Sequence, residues 1–98
     1  VLTAEYLIPF KMYAWLDLKQ RKTQGEHVNE KDYKKHKNDV FRLLQLVDPD
    51  ESIQTEGLVK EKIHEFIAEI KYEKVRPEQL GMDITQEEAQ GILEAIYV

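Results

Sequence analysis

Apolar residues recur at helical spacing along most of this chain, and that periodicity constrains the fold more than any other feature. The clearest run comprises Val59, Ile63, Phe66, Ile67 and Ile70. Steps of four, three, one and three residues place these side chains on one face of a helix. The alternating pattern that indicates a strand is weak, and its best example, around Ile53, is short. The sequence therefore predicts an all-α fold, a small bundle of about four helices.

Helix start and stop signals divide the chain into four predicted helices. They span residues 9–23, 30 to about 47, 57–74 and 86–97, with a lead-in turn at 3–7 and another turn around 77–81. The predicted N-cap residues are Asn29, Thr55 and Thr85, the last forming a capping box with Glu88. Pro9 is expected in the first turn of its helix, where a missing N–H costs nothing.

Two further features bear on these helices. Asp48–Pro49 is expected to stop the second helix, because the residue before proline disfavours helical geometry. The first helix carries apolar residues around most of its circumference, which predicts burial on most sides. These residues are Phe10, Met12, Tyr13, Ala14, Trp15, Leu16 and Leu18.

Composition bounds the class of protein. The 98 residues suffice for one domain, 42% are hydrophobic and 34% are charged, as expected of a packed core with a polar surface. No apolar run approaches the roughly 20 residues of a membrane helix, and no signal peptide is evident. Cysteine is absent, which excludes disulfides and thiolate chemistry and fits a cytoplasmic protein. Because the sequence begins with Val1, we expect a portion of a longer protein or a trimmed chain.

Charge is distributed unevenly along the chain. Residues 1–47 carry nine Lys/Arg and six Asp/Glu, a net +3, whereas residues 48–98 carry five and thirteen, a net −8. An anionic ligand should therefore prefer the first half, unless the difference only reflects two unlike helical surfaces. A row of glutamates in the second half is either a solvated face or faces a basic partner. Its members are Glu61, Glu65, Glu69 and Glu73.

The stretch KDYKKHKND, residues 31–39, holds the densest cluster of polar groups. On a helical wheel, Asp32, His36 and Asp39 fall at one edge of the core stripe, at spacings of four and three residues. Such groups either form a local polar pair or line a cleft that binds a metal ion or phosphate. One helix offers too few ligands for a metal site, and none is assigned. Lys34, Lys37 and Asn38 are expected on the solvated surface.

Lys11 is the second notable polar residue. It lies on a mostly apolar helix, with the small Ala14 one turn further on. A lysine in that position either extends to the surface along its alkyl chain or meets a buried anion, and phosphate is one such anion.

Catalytic motifs are absent from the sequence. It contains no glycine-rich phosphate loop, no G-x-S-x-G and no H-E-x-x-H motif. We therefore assign no catalytic residue within this chain.

Two segments together resemble a known family. LIPFKMYAWLDL (7–18), followed by KDYKKHKNDVFRL (31–43), is similar to the C-terminal helical part of AbiEii/AbiGii-type nucleotidyltransferase toxin-like proteins. The family's Lys-x-x-Ala element matches Lys11 and Ala14. Its later basic-Asp and Asp-apolar elements match Lys31–Asp32 and Asp39–Val40. The similarity covers roughly residues 5–47.

The resemblance implies a parent enzyme that binds a nucleoside triphosphate with Mg²⁺ and transfers a nucleotidyl group. An N-terminal core supplies a Gly-Ser turn and the metal-binding acids, neither of which this chain contains. We therefore expect the isolated chain to be inactive. Lys11, Lys31 and Lys35 are the implied phosphate contacts. The polar cluster of Asp32, His36 and Asp39 contributes to the same site, where Asp32 and Asp39 would orient the lysines or an incoming acceptor. The implied partners are the N-terminal core, an antitoxin protein and an RNA acceptor, with no membrane.

An alternative function is a non-enzymatic helical module for protein interaction. Its basic first half, or the glutamate row, would meet a partner of opposite charge.

Overall fold

Four α-helices and one short 3₁₀ helix form the fold of the part of the chain that the structure describes. The structure is a computed structural model, and it describes residues 3–48, 50–81 and 83–97. The helices are α1 (Ala4–Thr23), α2 (Glu30–Leu44), α3 (Gly57–Ile70) and α4 (Gln86–Ile96), and the 3₁₀ helix is Pro77–Leu80. The prediction of an all-α bundle of about four helices is confirmed.

Helix α1 begins five residues earlier than predicted, so Pro9 lies inside the helix and its expected place in the first turn is wrong. Proline has no N–H, so the carbonyl of Glu5 lacks the donor that residue 9 would normally provide. The Tyr97 hydroxyl donates to that carbonyl at 2.7 Å. A residue at the far end of the chain therefore completes the first turns of α1.

The burial of α1 also differs from prediction. Its inner face is fully buried at Ile8, Met12 and Trp15, but the outer face is open to solvent. Phe10 is 63% exposed and Tyr13 is 43% exposed. An apolar circumference therefore does not mean burial on most sides in this helix.

The predicted start of α2 is confirmed, because the Asn29 side chain accepts from the backbone N–H groups of Lys31 and Asp32. The helix ends at Leu44, before the expected boundary near Val47. The expected stop signal includes Pro49, which lies outside the described residues.

The predicted capping box of α4 is confirmed, whereas two predictions for α3 are wrong. The predicted capping box of α4 is present, with the Thr85 hydroxyl accepting from the Glu88 N–H at 3.1 Å. Helix α3 ends at Ile70, four residues early, and its N-cap is Glu56, so the prediction of Thr55 as N-cap is wrong.

The core is centred on α1. Trp15 is fully buried, with its ring centroid 5.5 Å from that of Tyr33 on α2 and 5.3 Å from that of Phe66 on α3. Such aromatic pairs add about 0.5–1.5 kcal/mol each beyond area burial. Ile53, in the segment before α3, donates its N–H to the Ile96 carbonyl at 2.6 Å, and it forms an isolated parallel bridge with Tyr97.

None of the helices in the described residues combines the length and the apolar character needed to cross a membrane.

Candidate functional site

The contact between Lys11 and Asp39 joins the two segments that carry the family resemblance. The Lys11 Nζ lies 3.2 Å from the Asp39 Oδ2, and the Arg42 Nη1 lies 3.2 Å from the other carboxylate oxygen. The Asp39 side chain is only 16% exposed, against 31% for Lys11. Asp39 is therefore partly desolvated between two cations, where ion pairs are held more firmly than on an open surface.

Helices α1 and α2 are antiparallel. A second ion pair, between Lys22 and Glu30 at 3.0 Å, closes their other end. The register set by the two pairs puts Ala14 at the level of His36. Ala14 is partly buried there.

His36 is the second member of the predicted polar cluster, and it is partly buried at the edge of the core. Its Nδ1 is buried and has no hydrogen-bond partner among the described residues. A buried polar atom left unpaired costs about 1–3 kcal/mol. His36 lies three residues before Asp39 on α2, which is close to the Lys11–Asp39 pair, but it is not bonded to that pair.

The remaining predicted residues are more exposed. Asp32 lies in the first turn of α2 and makes no side-chain hydrogen bond or ion pair with a described residue. Lys31 and Lys35 are exposed, two turns and one turn before Asp39 on the same helix. The structure thus brings Asp39 to Lys11, keeps His36 nearby, and leaves Asp32, Lys31 and Lys35 in solvent.

The described residues contain no group of three or more His, Asp or Glu side chains that could hold a metal ion.

The glutamate row mostly finds basic or polar partners inside the chain. Glu69 pairs with Lys19 of α1 at 2.8 Å, and Glu65 pairs with Lys62 at 3.3 Å. Glu73 accepts from the Tyr33 hydroxyl at 2.5 Å. Burial, together with the Glu73 carboxylate, raises the pKa of the Tyr33 hydroxyl well above its usual value. The row therefore helps to hold α3 and the segment after it against α1 and α2.

An exposed aromatic face runs along α1. Tyr6, Phe10 and Tyr13 follow one another at steps of four and three residues, and each is more than two-fifths exposed. The Lys62 Nζ lies 5.6 Å from the centroid of the Tyr13 ring, a cation–π contact that borders this face from α3. An apolar face of this kind is typical of a surface that contacts another protein or domain.

Of the three residues expected on the solvated surface, Lys34 is exposed, and Lys37 and Asn38 are only partly exposed. The Lys37 Nζ donates to the Lys74 carbonyl at 3.2 Å. The sequence contained the signal for this, because Lys37 stands four residues after Tyr33 and three before Val40, both in the core stripe.

Comparison of the chain with known protein families, with curated proteins and with solved structures finds no match.

Proposed function

We propose that this chain is the helical C-terminal domain of a nucleotidyltransferase-like protein of the AbiEii/AbiGii toxin type. The contact between Lys11 and Asp39 is the main support for the proposal. It brings together, where α1 packs on α2, the two motifs on which the resemblance rests. In this role Lys11 approaches the phosphates of a nucleoside triphosphate that an N-terminal core also binds. Phosphoryl chemistry depends on positioning and charge, which a lysine held by a carboxylate can supply.

The ion pair suggests how Lys11 would act. Asp39 holds the ammonium group at the edge of the α1–α2 seam, and Arg42 shares the carboxylate. An incoming triphosphate competes with Asp39 for Lys11, while Arg42 keeps Asp39 paired. Lys31 and Lys35 extend the positive charge along the exposed side of α2, where an RNA acceptor or a polyphosphate would meet them.

The family resemblance implies Mg²⁺, which the metal-binding acids of the N-terminal core would hold. The described residues lack a set of carboxylates or imidazoles able to hold it. The core would also cover the aromatic face of α1, which is otherwise open to solvent. An antitoxin protein remains a further proposed partner of the parent.

Activity of the full-length parent tests the proposal. Lys11→Ala and Asp39→Ala should each lower kcat/KM for nucleotidyl transfer by about 10²-fold, the scale of losing one group that stabilises transition-state charge. Lys22→Ala is the matched control, because it also removes a lysine of α1 that is paired with α2. Full activity in both site variants would refute the assigned roles.

A helical protein-interaction module is the second candidate, favoured by the aromatic face of α1. The glutamate row is not the proposed contact surface of this module, because most of the row is engaged within the chain. Phe10→Ser together with Tyr13→Ser should then abolish partner capture and leave the fold intact. The native reading frame upstream of Val1 separates the two functions: a Gly-Ser turn and paired acids support the transferase, and a native start at residue 1 supports the module.

A further inference from the structure

A basic cavity lies between α2 and the segment that follows α3, on the opposite edge of α2 from Asp39. Four cationic side chains and two amides line it, together with Leu80. These polar residues are Lys34, Lys37, Asn38, Lys74, Arg76 and Gln79. No carboxylate is among the described side chains that line it, although the whole protein has a net charge of −5.

The four cations have no anionic partner in the described part of the chain. None of them makes an ion pair with a described carboxylate, whereas Lys11, Lys19 and Lys22 all do. Glu73 is the carboxylate nearby, and it accepts the hydrogen bond of Tyr33 instead. Like charges gathered in one cavity repel one another, and Glu73 offsets only part of this repulsion at Lys37, so a bound anion would relieve the rest.

The pKa of Lys37 depends on its burial and on the charges around it. Burial lowers the pKa of the Lys37 ammonium below its usual value, the nearby Glu73 carboxylate opposes that shift, and Lys34 and Lys22 add to it. Lys37 also donates to the Lys74 carbonyl, which connects the two walls of the cavity.

The cavity wall contributed by residues 74–80 is held in place. The Gln86 side chain accepts from the Val75 N–H at 3.0 Å and donates to the Glu73 carbonyl at 2.8 Å. At the other end, Gln45, the C-cap of α2, donates to the Leu80 carbonyl at 2.7 Å. The cationic side chains are therefore carried on a backbone that is fixed before any ligand binds, which lowers the entropic cost of binding.

From these observations we infer a binding site for phosphate groups, formed by Lys34, Lys37, Lys74 and Arg76. The cavity volume of about 190 Å³ is below the roughly 300–1,000 Å³ of pockets for drug-sized ligands, so the site suits inorganic phosphate, pyrophosphate or the phosphates of a nucleotide. Lysines act on phosphate as point charges, and arginine can bind it through two N–H groups. The site shares no residue with the Lys11–Asp39 pair and does not rest on the proposed transferase function.

Calorimetric titration of the chain with pyrophosphate tests the site. Lys34→Gln and Arg76→Gln remove exposed side chains, so the fold should persist, as circular dichroism would verify. Each substitution should weaken pyrophosphate binding about tenfold or more, the scale of losing one charge-assisted hydrogen bond. Lys60→Gln and Lys71→Gln are controls that remove exposed lysines outside the cavity, and each should change the affinity less than about threefold.

The outcomes separate a local site from general charge. Equal weakening by cavity and control variants, or no binding at millimolar pyrophosphate, would overturn the inference. Parallel titrations with inorganic phosphate and ATP identify the source of the phosphate groups. Tighter binding of a short single-stranded RNA, lost equally in all four variants, would replace the site with diffuse RNA contact. The titrations use the chain without an N-terminal core, which keeps this test separate from that of the transferase.

Discussion

The hydrogen bond between Tyr97 and the Glu5 carbonyl leads to a quantitative prediction about stability. Tyr97→Phe removes the hydroxyl that donates at 2.7 Å and leaves the carbonyl without the donor that Pro9 cannot supply. A lost hydrogen bond costs about 0.5–1.5 kcal/mol, and an unpaired buried acceptor raises that cost. We therefore expect the free energy of unfolding to fall by about 1.5–2.5 kcal/mol. In a domain of this size the melting temperature would fall by roughly 6–15 °C.

The same substitution should cost much less when residue 9 carries an N–H. In a Pro9→Ala background the new N–H can donate to the Glu5 carbonyl, so Tyr97→Phe should cost only about 0.5 kcal/mol. The difference, about 1–2 kcal/mol, is the coupling energy of a double-mutant cycle. Pro9→Ala alone should raise stability, because proline inside a helix is unfavourable by about 3 kcal/mol relative to alanine.

Urea unfolding of the four proteins, followed by circular dichroism at 222 nm, measures this cycle. Tyr72→Phe is a control, since Tyr72 is 86% exposed and its loss of a hydroxyl should change stability by less than about 0.5 kcal/mol. Equal costs of Tyr97→Phe in both backgrounds, within about 0.5 kcal/mol, would refute the reasoning, because the carbonyl left free by Pro9 would then play no part.

Three other perturbations test the fold. Asn29→Ala should cost about 1 kcal/mol of unfolding free energy, because it removes the cap of α2, and an unchanged urea midpoint would contradict this. Phe66→Ala, in the core, should cost about 3–5 kcal/mol, whereas Phe10→Ala should stay within about 0.5 kcal/mol; similar costs would contradict the assigned burial. The raised pKa of Tyr33 means that its contribution to stability is full below about pH 10, the ordinary tyrosine pKa, and is lost as pH rises further. Tyr33→Phe should therefore flatten the fall in stability above pH 10, and an unchanged slope would rule out this source.

Local rules predicted the helix signals that depend only on neighbouring residues. Asn29 and the Thr85–Glu88 box act within one turn of their helices, so sequence alone was sufficient for both. Pro9 was misplaced because the usual rule puts proline in the first helical turn. The partner that permits it further inside the helix, Tyr97, lies at the other end of the chain.

The functional groups show the same division between local and long-range information. The sequence singled out Lys11 and the polar edge of α2 as separate features, and the family resemblance put Lys11 and Asp39 in one site. Packing of α1 on α2 brought the two together. The basic cavity could not be predicted, because Lys74 and Arg76 come from the acidic half of the chain and reach Lys34 only through the fold.

Helix α2 separates its polar groups into two sites because its apolar stripe lies between them. Asp39 projects toward α1 from one edge of the stripe, and Lys34 and Lys37 line the cavity at the other edge. The apolar stripe separates the two edges, so distance and solvent weaken the electrostatic effect that a charge changed at one edge has on groups at the other. Substitutions in the two sites should therefore act independently: in the parent, Lys11→Ala should lower nucleotidyl transfer by the same factor with and without Arg76→Gln. Factors that differ by more than about twofold between the two backgrounds would mean that the two edges of α2 are energetically coupled.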